Sequence, residues 1–253
     1  MRTLALIVAH PDDDAYGVAG TVALHAADPG VRFVLIHATD GAAGDIAPGF
    51  PATRETLGAI RRLEDENAWR ALGRVPDRHE WLGYEDGAVE QAPELCDRLV
   101  EILGEERPDV VATFGPDGIT GHPDHIAVGA ATDTAFHRLR GKGSGFQRLL
   151  HGAMPQSVFD RWNASRMRRG EPAWDPSAIY HLRGVPDESI GMSVDVSSVA
   201  DRVVAGLREH RSQQHVMGAG PGLDWERAVG MEHYVIAWPP GLQGLTDVFE
   251  GLP

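Results

Sequence analysis

"VAHPDDDAYG", residues 8–17, decides how this chain is read. A mostly apolar run, Thr3–Ala9, precedes it, and one imidazole and three carboxylates stand where that run ends. A short, unbroken apolar run fits a strand covered on both faces, as in a parallel sheet. The acidic residues suit the start of the next helix, where the helix dipole favours negative charge. "AYGVAGTVALHAA" (15–27) then reads as a small-residue helix with Val18, Val22 and Ala26 on one face. Polar residues between such a strand and its helix lie at the strand's carboxyl end, which is where open α/β sheets bind ligands.

Further out the alternation continues. Apolar runs at 31–39, 79–83, 109–114 and 147–153 read as strands. Helical patterns fill 54–72, 93–106 and 123–140. In the first of these, Leu57, Ile60, Ala68 and Leu72 face inward and Gly73 follows the end. The pattern predicts an α/β fold: a Rossmann-like, mostly parallel sheet with helices on both faces. Past residue 155 it loosens, with a strand at 189–196 and a helix over 197–213 capped at Ser197 or Ser198. One domain spanning 1–253 is expected, with a core of about 1–155 and a C-terminal extension, 156–253, packed on it.

Composition narrows the function. The 253 residues carry 23 Lys+Arg against 37 Asp+Glu, a formal charge of −14. So acidic a chain is a poor match for nucleic acid or an anionic membrane, both of which call for phosphate neutralisation. A single cysteine, Cys96, excludes an internal disulfide and a cysteine-rich zinc site. No stretch reaches the ~20 apolar residues of a membrane helix, and no A-x-A site follows the N-terminal run. A cytoplasmic protein is expected, and a homo-oligomer is compatible with everything above.

A second polar cluster, "GPDGITGHPDH" (115–125), follows the strand at 109–114. The sheet thus brings His10, Asp12, Asp13 and Asp14 to the same edge as His122, Asp124 and His125. Without cysteine, a transition-metal site there must combine imidazole and carboxylate. Two His and one Asp with an open position suit catalytic zinc, and Fe2+ is a further candidate. Surplus donors can act as base or acid, or support the ligands from behind. One divalent ion per chain is expected.

"AHPDDD" and "GHPDH" together resemble the LmbE-like, or PIG-L, family of zinc-dependent N-deacetylases of N-acetylglucosamine compounds. The likeness extends to "TDGAAGD" (39–45), "IRRLEDENAWRALG" (60–73), "WLGYEDG" (81–87) and "REHRSQ" (208–213), read as a late helix. It implies zinc held by His10, Asp13 and His125, with Asp12 as general base. It implies His122 facing the reacting carbonyl, with Asp124 behind it raising its pKa so that it donates as a cation. Arg61 and Asp86 match sugar-contacting positions. Asp14, where the family usually has Glu, is expected near the substrate, and Ala42 stands where an acidic residue is common. The implied reaction removes an N-acyl group, expected to be acetyl, from a small N-acyl amino sugar or glycoside. The six tryptophans (Trp69, Trp81, Trp162, Trp174, Trp225, Trp238) could stack on a sugar, although core packing is the commoner role.

Three other readings use the same residues. A two-His-one-carboxylate ferrous oxygenase would leave Asp12 without a task. A nucleotide-sugar transferase should carry a phosphate cradle, and no GxxxxGK[ST] is present. A non-catalytic sugar-binding protein would have no need of a base beside the ligands.

Overall fold

Why the apolar runs become strands is plain from where they lie. In the computed structural model, which describes residues 1–215 and 228–253, the strands β1 (Arg2–Val8), β2 (Val31–His37), β3 (Arg78–Trp81), β4 (Val110–Phe114), β5 (Arg148–Gly152), β6 (Met192–Asp195) and β7 (Met231–Trp238) form one sheet in the order β3-β2-β1-β4-β5-β7-β6. β1 (Arg2–Val8) and β2 (Val31–His37) are buried at nearly every position. So is β4 (Val110–Phe114). Helices cover such strands on both sides, so no residue of theirs can be polar at low cost. β3 (Arg78–Trp81) and β5 (Arg148–Gly152) complete the parallel part.

The chain moves from β1 outward to β2 and β3, then back across to β4. Right-handed crossovers in opposite directions place the connecting helices on opposite faces. α3 (Arg54–Leu72) lies on one face and packs against α8 (Ala200–Leu207). α4 (Leu95–Glu106) and α6 (Pro123–Leu139) pair on the other. The reversal of direction opens a crevice between the carboxyl ends of β1 and β4, where the two polar clusters emerge.

The expected 15–27 helix is two short ones, α1 (Asp13–Gly17) and α2 (Ala19–Leu24), broken at Val18 with φ −150°. The first turn of the site therefore aims independently of the helix behind it. α5 (Gly118–Gly121) is a tight turn with Ile119 at φ 64°.

The C-terminal part does more than pack on the core. β6 (Met192–Asp195) and β7 (Met231–Trp238) are antiparallel and extend the same sheet beyond β5. β7 escapes the sequence reading, as does α7 (Gln156–Arg168), which buries only Phe159. The helix expected over 197–213 ends at Leu207, and Arg211–Gln213 form a separate 3-10 turn. Among the described residues no helix is long and apolar enough to cross a membrane.

Candidate metal centre

α1 begins immediately after β1, and α6 begins after the loop that follows β4. That topology brings His10, Asp13 and His125 together. His10 Nδ1 lies 3.3 Å from Asp13 Oδ2 and 3.2 Å from His125 Nε2. His125 Nε2 lies 3.2 Å from Asp13 Oδ1. Bonds of about 2.0–2.1 Å in a tetrahedron separate ligand atoms by about 3.3 Å. The three residues therefore stand close enough to hold a zinc-sized ion between them, and their donor set suits one.

Each ligand is also held from behind. His125 Nδ1 bonds the Gly118 carbonyl at 2.9 Å, and its ring stacks on Phe114 at 4.1 Å. The His10 backbone N–H donates to Asp13 Oδ2 at 2.8 Å. His10 Nε2 faces two carboxylates, Asp86 at 3.0 Å and Asp124 at 3.3 Å. Such pairs fix the tautomer of a ligating imidazole and increase its basicity. Burial opposes a charge on His10, yet Asp124, Asp13 and Asp86 hold its pKa well above the ordinary value. Burial likewise opposes the Asp13 carboxylate, and His125 and His10 keep it well below its usual range. A site with this potential is built for a cation.

Asp124 is thus a correction to the sequence reading, and Asp86 has a task at His10 that the sequence reading did not include. Asp86 supports His10, with its other oxygen accepting from the Ala43 N–H at 2.7 Å. The Asp124 side chain is not behind His122. It accepts from the Gly87 and Val89 N–H groups at 2.7 and 3.1 Å, and so docks the loop after β3 onto His10. His122 instead accepts at Nδ1 from the Asp124 backbone N–H, 3.1 Å away. That bond leaves the proton on Nε2. Burial, with His10 and His125 nearby, lowers its pKa to about 4. His122 is therefore a neutral N–H donor, not the cation expected.

Asp12 sits beside the ligands at φ 102°, a region side chains rarely occupy. Arg61 holds it there. The guanidinium reaches Asp12 Oδ2 at 3.1 Å, the Pro11 carbonyl at 2.5 Å and the Gly41 carbonyl at 3.0 Å. Arg61 is only 4% exposed, so the expected sugar contact becomes a clamp on Asp12 and on the glycine-rich loop. Burial raises the Asp12 pKa to about 7 against the opposing pull of Arg61.

The rest of the α3 motif has the same inward task. Glu64 accepts from the Ser212 backbone N–H and hydroxyl at 2.8 and 2.7 Å. Gln213 bonds the Asp45 carbonyl at 2.9 Å. The late "HRSQ" stretch thus locks α3 and the glycine-rich loop behind the site. Asp14 also turns inward. It is 1% exposed and accepts from Trp69 Nε1 at 2.5 Å, which removes it from any substrate.

Of the tryptophans, Trp69 is buried, Trp81 stacks on His37, and Trp162 and Trp174 lie near one another. Trp238 stands under Arg140, and Trp225 lies outside the described residues. None of the five described has a contact with the metal centre among these ring pairs. Sequence reasoning missed Tyr180, 72% exposed, whose ring stands edge-on to His122 at 5.2 Å. No motif surrounds it, so only the fold reveals it.

Strand-end imidazoles and carboxylates, a clamped aspartate and a neutral His opposite define a metal-site hydrolase architecture. The chain belongs to the PIG-L family, described as GlcNAc-PI de-N-acetylase, which it matches over residues 5–136. Among its relatives is the 1D-myo-inositol 2-acetamido-2-deoxy-alpha-D-glucopyranoside deacetylase of Acidothermus cellulolyticus. The two are 31% identical over all of this chain and 96% of that one. Two solved structures share the fold. One is the N,N'-diacetylchitobiose deacetylase of Pyrococcus horikoshii, with TM-score 0.62 and 24% identity over 93% of this chain and 83% of that one. The other is a 4-carboxy-2-hydroxymuconate hydratase of Pseudomonas putida KT2440, with TM-score 0.63 and 16% identity over 97% and 100%. A fold shared with a hydratase does not fix the chemistry, so the site must.

Proposed function

We propose that the protein removes an acetyl group from a small N-acetylglucosaminide, with His10, Asp13 and His125 holding a divalent ion. Zinc is the best fit to the donors. The carrying observation is the coincidence of two imidazole nitrogens 3.2 Å apart, each within 3.3 Å of an Asp13 oxygen, with a carboxylate outside that set on the preceding residue, Asp12. A bound ion of this kind polarises a carbonyl and makes water acidic near neutral pH.

Asp12 takes the water's proton at its carboxylate. Its pKa near 7 suits a base at neutral pH, and Arg61 keeps the group aimed. The His122 Nε2–H, fixed by the Asp124 backbone, faces the developing oxyanion and donates to it as a neutral group. Asp12, once protonated, is the group with a proton to return to the leaving amine. The products are acetate and a free amino sugar. Asp86 and Asp124 keep the His10 ring in register throughout. Tyr180 and Tyr16, both exposed beside the crevice, offer faces for a sugar ring. The inositol glucosaminide on which the Acidothermus relative is named to act supports an inositol glycoside as the first compound to try.

Release of primary amine from a panel of N-acetylated sugars and glycosides, with an amine-reactive dye, tests this. Metal-dependent turnover of a glucosaminide is expected. Failure on every N-acyl sugar by zinc-loaded protein overturns the reading.

A further inference from the structure

Three residues with no part in the first centre meet at the far edge of the sheet. His37 ends β2, His79 lies on β3, and Asp65 reaches them from α3. His37 Nδ1 is 2.9 Å from His79 Nε2. Asp65 Oδ1 is 3.7 Å from His37 Nε2, and Asp65 Oδ2 is 3.7 Å from His79 Nε2. His37 and Asp65 are both 0% exposed. No N–H donor comes within hydrogen-bond reach of either Asp65 oxygen among the described residues, and its hydrogen-bonding partner is another carboxyl, that of Asp14. A buried pair of carboxyls with no cation between them is costly, and a native fold keeps one only for a reason.

We propose that His37, Asp65 and His79 form a second metal site, separate from the His10–Asp13–His125 centre, for a divalent cation of the zinc type. The donor set is the same, two imidazoles and one carboxylate. The separations of 2.9 and 3.7 Å bracket the about 3.3 Å of a tetrahedral ion. Asp14 Oδ1 faces the other nitrogen of His37, Nε2, from 3.5 Å, while Trp69 holds its second oxygen, so Asp14 braces the His37 ring from behind. The His79 side chain is 17% exposed, which gives the ion an entry path from the edge strand. Trp81, stacked on His37 at 4.4 Å, shields the cluster and itself lies under Arg62.

The ion would tie β2 and β3 to α3. Asp65 stands one helical turn beyond Arg61, on the same buried face. The second site thus fixes the helix whose guanidinium holds Asp12, without touching the reacting groups.

Counting ions tests this without relying on turnover. Zinc-reconstituted, desalted wild-type protein should hold two ions per chain by elemental analysis. His79→Gln and His79→Ala should each hold one and keep amine release within a few-fold. His125→Ala should also hold one, with amine release lost. Adding zinc to metal-free His125→Ala should raise its melting temperature, and combining it with His79→Gln should abolish the rise. One ion in the wild type overturns the proposal, as does none in His125→Ala, or two that persist in both His79 variants. Two ions in a protein inactive on every N-acyl sugar would instead break the deacetylase reading and leave this one standing.

Discussion

The crevice between β1 and β4 and the pocket behind β2 hold the same kinds of donors in opposite states. In the crevice, every ligand's second polar atom is engaged: His10 Nε2 by two carboxylates, His125 Nδ1 by a carbonyl, Asp13 by a backbone N–H. Behind β2, Asp65 meets no N–H donor within hydrogen-bond reach among the described residues and pairs only with the Asp14 carboxyl. Supported ligands are aimed for chemistry on something that arrives from solvent. Donors that lean mainly on one another, behind an edge strand, are satisfied by what they enclose. Identity and count of donors do not distinguish a working centre from a structural one, whereas the atoms one bond further out do.

The sharpest way to break the contrast is at Asp12. Asp12→Asn keeps the shape and should keep the ion and the melting temperature while lowering kcat by ~10²–10⁴-fold. Loss of the ion in that variant would make Asp12 a ligand, and normal kcat with full metal would remove it as the base.

Support for the ligands comes next in size. Asp86→Asn should weaken metal affinity by about 10–100-fold, read by chelator competition. KM in metal-saturated protein should hold, because the carboxylate faces His10. A raised KM at full occupancy would return Asp86 to the sugar.

The smallest effect is on pH. Asp12 must be deprotonated to act, so kcat/KM should rise with pH and level off as the pH passes its pKa. Burial lifts that pKa to about 7, and a bound cation, like Arg61, pulls it down. Arg61→Gln should therefore move the acid limb to higher pH by about one unit in metal-saturated protein. An unmoved limb would mean that Arg61 only braces the backbone carbonyls.

The crevice was legible in sequence because its donors are contiguous. "HPDDD" and "HPDH" each follow an apolar strand, and the βα rule alone places both at one sheet edge. The periodicities of β1, β2, β4, α3 and α6 were legible for the same reason: each buries a whole face of apolar residues. Roles were harder to read. Arg61, Glu64 and Asp65 interrupt the inner face of α3 with charge and are buried there, while Ile60, counted as inward, is only half-buried. A charged residue in a helix reads as solvent-facing until its partner is seen. The family likeness implies Asp86 at the sugar and Asp124 behind His122, but a motif gives adjacency along the chain, not which ring a carboxylate meets. β7 was hidden by Glu232, whose oxygens are buried against Thr21, the Gly20 N–H and the Tyr234 hydroxyl. His37, Asp65 and His79 come from three elements, and no spacing rule joins them.

The backbone at Asp12 carries a consequence for how this protein would respond to selection. A φ of 102° is open to glycine and costs other residues about 1–3 kcal/mol. Arg61 would keep its bonds to the Pro11 and Gly41 carbonyls if the carboxylate vanished. Position 12 is then a place where durability and turnover pull apart. A library screened for heat resistance alone should enrich glycine there and yield robust, inert protein. Only a screen that also demands product should keep the aspartate.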